Sequence, residues 1–222
     1  MRQIILDTET SGLDYDKDRI IEVGCLELVN GIYTGEKFHK YYKPDNLIIS
    51  TQSEQIHGLN NKFLSNFKTF DEEINSFLSF INGSQLIIHN AQFDLSMINN
   101  SLKRLSKEII KKNETICTLE MAKKKFPGSK NNLNALCRRF DISLESRKTH
   151  GALTDSFLLL EVFNELTGGK QNILKLNVKN LNKNEVLKTI NLEELPSVNL
   201  TKKEESNHSE MLQKIEKHIW YN

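Results

Sequence analysis

Apolar positions recur along the chain with two different periods. Near the start they alternate or cluster over short stretches: "IILD" (4–7), "RIIEVGCLELV" (19–29) and "KFHKYYKP" (37–44) predict three antiparallel strands. A loop rich in Gly and Asp separates the first two, and Asn30-Gly31 supplies a hairpin signal after the second. The stretch from there to about Thr69 reads as irregular. The period then lengthens, and Phe70, Ile74, Phe77, Leu78 and Ile81 share one face of a helix that Asn82-Gly83 stops. "QLIIHN" (85–90) is a short apolar run of the kind found in buried parallel strands, and a helix follows from Phe93 to about Leu105. "TICTLEMAKKKF" predicts strand into helix, "NNLNALCRRF" a helix capped by Asn131 or Asn132, and "GALTDSFLLLEVFNELTGG" a long helix closed by Gly168-Gly169. A strand meander followed by strands alternating with helices predicts an α/β fold: a mixed five-stranded sheet flanked by helices.

Beyond residue 170 the pattern weakens and the composition turns to Asn, Lys, Glu and Leu, with no Gly. This divides the chain into a domain at 1–170 and a flexible C-terminal tail at 171–222. Met211, Ile215 and Ile219 fall at i, i+4 and i+8, with Leu212 and Trp220 close by, so the end of the tail predicts a short amphipathic docking helix. The 222 residues carry 30 Lys plus Arg against 29 Asp plus Glu. With charge so balanced, no strong field draws the molecule to a polyanion, which must therefore be gripped locally. Three cysteines without a CxxC pair argue against a disulfide framework or a thiolate zinc site. The N-terminus has no cationic leader, and no apolar run approaches the ~20 residues of a membrane span, which sets the expected location as the cytoplasm.

The chemistry concentrates in three motifs. In "LDTETSGL", Asp7 and Glu9 sit two apart on a strand, so their carboxylates project from one face; they form either a metal site or a polar strand end met by solvent. In "HNAQFDLSMIN", Asp94 falls on the first turn of a helix, a place where the helix dipole alone already favours an acid. In "HGALTDS", Asp155 lies early in the long helix and His150 just before it. Four carboxylates without a cysteine cluster favour Mg²⁺ or Mn²⁺ over zinc. Two such ions ~3.5–4 Å apart suit in-line phosphoryl displacement. A histidine with a pKa around 6.5 can take a proton from the attacking water.

The ordered set "DTET", "HNAQFD" and "HGALTD" resembles the motifs of the DEDDh 3′→5′ exonucleases, a family with a ribonuclease H-like sheet. "IIEVGCLELV", "FHKYYKPD", "IHGL" and "KKFPGSKNNLNALCRRF" fall in the order of its proofreading branch, over about residues 2–170. The resemblance implies Asp7, Glu9, Asp94 and Asp155 as ligands of two divalent cations and His150 as general base. It implies that Thr8, Thr10, Gly12 and Leu13 cradle the terminal nucleotide, with His57, Asn90 and Phe93 nearby. Gln52 stands where close relatives carry a Glu near the 3′-hydroxyl, and an amide can still hydrogen-bond that group. The activity implied is removal of mispaired 3′-terminal nucleotides from DNA as 5′-monophosphates. The partners implied are the polymerase catalytic subunit, through the tail, and a sliding clamp, through "QNILKL" with Gln171, Leu174 and Leu176 as anchors; a small stabilising subunit is left open. Two rivals remain: a related exoribonuclease, and a noncatalytic module joining polymerase to clamp.

Several of these residues have plainer readings. His39, on a strand, reads as a half-buried hydrogen-bonding residue, and Phe93 as either core or a base-contacting wedge. The lysines from 123 to 130 could meet phosphates or simply form a solvated face, and the cysteines read as small buried hydrophobes.

Overall fold

The computed structural model describes residues 1–145, 149–168 and 201–214. It opens with three antiparallel strands, β1 (Arg2–Thr10), β2 (Ile20–Val29) and β3 (Ile32–Tyr41). Asn30 and Gly31, at φ 53° and 80°, form the two-residue turn between β2 and β3, and pairing resumes at once with Val29 opposite Ile32. β3 therefore starts five residues before the point marked by alternation and ends short of Pro44. The turn imposes pairing on residues that are largely exposed and carry no apolar period of their own.

The stretch expected to be irregular contains two short helices, α1 (Thr51–His57) and α2 (Asn61–Leu64). Each opens on a side-chain cap: Ser50 Oγ accepts from Ser53 N–H at 3.1 Å, and Asn60 Oδ1 from Phe63 N–H at 2.9 Å. Each buries a single residue, His57 or Leu64, and so lacks the apolar stripe that reveals a longer helix.

The remaining elements follow the reading closely. α3 (Phe70–Ile81) is entered through a Thr69–Glu72 capping box and left through Asn82, whose φ is 37°. Then come β4 (Gln85–Ile88), α4 (Ala91–Arg104), β5 (Thr115–Cys117), α5 (Thr118–Lys125), α6 (Leu133–Arg139) and α7 (Ala152–Thr167). Asn132 Oδ1 accepts from Ala135 N–H at 2.8 Å, so Asn132 caps α6, while Asn131 is buried and donates to Phe126 O and Ser129 O. The strand order is β3-β2-β1-β4-β5, with β4 parallel to β1 and β5 parallel to β4.

The sheet is packed on both faces. Ile4 and Leu6 of β1 join Phe70, Phe77, Met97 and Ile98 of α3 and α4 in one core. Ile5 joins Leu136, Leu159 and Val162 of α6 and α7 in the other. Since side chains alternate along a strand, Asp7 and Glu9 continue the α7 side and Thr8 the α4 side.

By internal contacts the chain divides into Met1–Leu174 and Lys175–Asn222. In the second unit α8 (Lys202–Gln213) is entered through a capping box of Thr201 and Glu204. The anchors Gln171, Leu174 and Leu176 lie outside the described residues, as do Ile215, Ile219 and Trp220. Among the described residues no helix is long and apolar enough to cross a membrane.

Candidate active site

The site gathers at the ends of β1 and β4. Parallel pairing of the two strands carries the chain from Ile88 through His89 and Asn90 into α4. Asn90 takes a left-handed conformation at φ 63°, which asparagine tolerates better than most residues, and this turn aims the first helical turn back at the strand. Asp94 lies on that turn, 4% exposed, and its Oδ1 accepts the Thr8 hydroxyl at 2.7 Å. Burial pushes the Asp94 carboxyl up to about 7, and the hydrogen bonds from Thr8 and from backbone amides oppose that rise only in part.

α7 approaches from the opposite face. Asp7 pairs with Gly24 of β2, and a Cβ at Gly24 would lie 2.4 Å from the Ala152 backbone, so only a glycine lets the helix start so close to the strand. Ser156 Oγ donates to Gly24 O at 2.9 Å and fixes the next turn. Before the helix, His150 N–H donates to Ile56 O at 3.0 Å. With both sides of that junction tied down, His150 Nδ1 stands 3.4 Å from Asp155 Oδ2. One ligand atom each from Glu9, His150 and Asp155 lie within 4.8 Å of one another. The two carboxylates of this group suit a hard divalent cation, and the imidazole stands beside them. Asp7 lies two residues before Glu9 on β1, and Asp94 on the first turn of α4; neither belongs to this group of three.

The structure adds a residue that the motif reading passed over. Glu22 is directly opposite Glu9 on β2, 3% exposed, and its Oε1 lies 2.8 Å from His39 Nε2. Its carboxylate also lies beside Gly151 at the start of α7, where a negative charge complements the helix dipole. An acid inside the apolar run "IIEVGC" was the available signal, because a buried carboxylate needs a partner. His39 is that partner, in keeping with its hydrogen-bonding reading.

His57 shares a cavity of about 490 Å³ with Glu22, His39 and His150. It is 5% exposed, and its Nδ1 accepts the Leu59 N–H at 3.0 Å. The proton of the neutral ring therefore sits on Nε2, a buried atom with no hydrogen-bond partner among the described residues. Burial holds the His57 pKa below its usual value; Glu22 and Glu54 work against that, and His150 adds to it.

Other expected site residues take different places. The hydroxyls of Thr8 and Thr10 face inward, onto Asp94 Oδ1 and Gly12 O (2.7 Å each), and both residues are buried. Each hydroxyl thus spends its one donor inside the protein and helps to shape the motif. Leu13, by contrast, is 81% exposed. A Cβ at Gly12 would meet the Asp18 carboxylate at 2.4 Å, so this glycine admits a loop contact. Gln52 is exposed on α1. Phe93 packs against the α3–α4 core and also meets the Tyr15 ring at 5.7 Å between centroids. Of the lysines, Lys125 donates to the Glu165 and Leu166 carbonyls at the end of α7. Cys25 and Cys137 are buried and Cys117 is half-buried; burial, helped by the Asp7 charge, pushes the Cys25 thiol up.

A family model described as an exonuclease matches residues 4–163. DNA polymerase III subunit epsilon of Rickettsia typhi is 43% identical over 223 residues, 97% of either chain. The protein of that name from Escherichia coli K12 is 42% identical over 178 residues, 76% of this chain and 72% of its own. Among solved structures, exonuclease X in complex with 5′-overhanging duplex DNA superposes with a TM-score of 0.59 at 23% identity, covering 74% of this chain and 90% of its own. Escherichia coli exonuclease I in complex with a dT13 oligonucleotide superposes with a TM-score of 0.65 at 14% identity, over 75% and 41%. At such identities these two likenesses bear on the fold alone.

Proposed function

The chain belongs to the exonuclease family whose model spans residues 4–163, and from that premise we propose that it is the proofreading 3′→5′ exonuclease of a bacterial DNA polymerase III. It removes mispaired 3′-terminal nucleotides as 5′-monophosphates. The observation that carries this reading is the convergence of two motifs far apart in sequence: ligand atoms of Glu9, from β1, and of His150 and Asp155, from α7 and the turn before it, lie within 4.8 Å of one another. The names of the full-length relatives support assignment to the polymerase complex and to DNA.

Glu9 and Asp155, together with Asp7 and Asp94, are proposed to hold two divalent cations, Mg²⁺ or Mn²⁺. When bound, such ions supply positive charge that draws in a phosphodiester and eases loss of a proton from an attacking water. The chain's own residues do the rest. With Nδ1 of His150 turned to the Asp155 carboxylate, its proton stays there and Nε2 presents a lone pair, the arrangement a general base needs. Thr8 keeps Asp94 oriented. His57, which lines the cavity beside His150, is proposed to lie near the substrate.

Selection for mispaired ends rests on fraying, since an unpaired end costs less to draw into the site. In the tail, the segment holding Gln171, Leu174 and Leu176 is proposed to contact the sliding clamp, and the C-terminal end the polymerase catalytic subunit.

The test compares primers with a mismatched or a paired 3′ end, in DNA and in RNA, with and without Mg²⁺. Metal-dependent release of mononucleotides, faster from the mismatched DNA end, is expected. Equal rates on both ends, or a preference for RNA, would overturn the proofreading assignment.

A further inference from the structure

The loop between β1 and β2 is more ordered than its length requires. Ser11 and Arg19 close it with two bonds, Ser11 N–H to Arg19 O at 2.9 Å and Arg19 N–H to Ser11 Oγ at 3.0 Å. Inside it, both Asp18 carboxylate oxygens are used: Oδ1 accepts from Ser11 Oγ at 2.9 Å and Oδ2 from Asp14 N–H at 2.8 Å. The loop is also fastened sideways, because Asn100 Nδ2 donates to Tyr15 O at 2.6 Å. Asn100 and Phe93 are seven residues, or two turns, apart on α4 and so share one face of that helix. The loop thus lies along the helix face that begins beside Asp94, and the Tyr15 ring meets the Phe93 ring at 5.7 Å, tilted by 59°.

This order supports an apolar group in water. Tyr15 is 40% exposed, held in place at its carbonyl and at one edge of its ring. A fixed aromatic face on the loop that follows the motif strand, beside the Phe93 ring, is what a nucleobase can stack on, and any base will serve, which suits an enzyme that must accept every sequence. The need is sharpened by the charge balance, 30 basic against 29 acidic residues. Stacking supplies affinity that net charge does not.

We propose that Tyr15 is a positioning residue that stacks, alongside Phe93, on a base within the last three nucleotides of the strand entering the site. The inference rests on the exonuclease reading and adds a contact specific to this chain's loop.

The test uses single-stranded DNA in two forms, one with normal bases and one whose three 3′-terminal nucleotides are abasic, each digested by the full-length wild type, Tyr15→Ala and Tyr15→Phe with Mg²⁺. On normal DNA, Tyr15→Ala should lower kcat/KM about tenfold, mostly through KM, with Tyr15→Phe close to wild type. On the abasic strand the wild type and Tyr15→Ala should be equal, an outcome that general damage to the loop would not produce. A Tyr15→Ala loss of the same size on both strands, or no loss on normal DNA, overturns the stacking role while leaving the exonuclease reading intact. A wild type that releases no mononucleotides from normal DNA overturns both.

Discussion

Asp94 carries the clearest pH signature in the metal-free protein. Its carboxyl is pushed from 3.8 up to about 7 by burial, so folding favours the protonated form. The stability this gives is complete below about pH 4, declines as pH rises toward 7, and is flat above. Asp94→Asn should therefore raise the Tm of the metal-free protein by several degrees at pH 8 and by little at pH 4, as read by thermal melts across that range; a pH-independent difference would contradict the burial argument. His150→Ala should cost ~10²–10⁴ in turnover, the usual weight of a general base, and a loss below tenfold in steady-state kinetics would assign the proton transfer elsewhere. Glu22 is the strongest of the charges that hold up the pKa of His57. Glu22→Gln should thus lower it further, which an NMR titration of the imidazole reads directly, and an unmoved midpoint would count against the pairing. The acids of the three motifs were legible in the sequence because their spacing has chemical meaning. The turn of the Thr8 hydroxyl onto Asp94 was not, since it depends on which face of β1 meets α4.

At the scale of elements, the site exists because α7 can start against β2. Gly24→Ala would set a methyl group against the Ala152 backbone, forcing the helix start outward along with His150 and Asp155. A cost of ~1–3 kcal/mol is expected for such overpacking, seen as a lower Tm together with reduced turnover; an unchanged melting curve would mean that the junction yields freely. Long periodic elements such as α3, α7 and the inner strands could be read from their apolar stripes. α1 and α2 could not, because each buries one residue and is defined by a cap, Ser50 or Asn60. The start of β3 was hidden for a related reason: its first residues are exposed, and their pairing is dictated by the Asn30-Gly31 turn.

For the whole molecule, near-neutral charge bears on how substrate is reached. A nuclease of balanced charge gains effective concentration when tethered to a DNA-bound partner, and the composition shift after residue 170 is where the proposed tether begins. The packing of helices against a mixed sheet was legible from the order of strands and helices. The convergence of Glu9, His150 and Asp155 was not, because residues about 140 positions apart in sequence meet only through the docking of α7 on β1 and β2. The most direct measurement is mononucleotide release from end-labelled single-stranded DNA in Mg²⁺, comparing wild type with Asp155→Asn, which preserves side-chain volume. Processive shortening by the wild type from the 3′ end, lost on chelation and reduced to background in Asp155→Asn, is the predicted result. Undiminished release by Asp155→Asn would contradict the account.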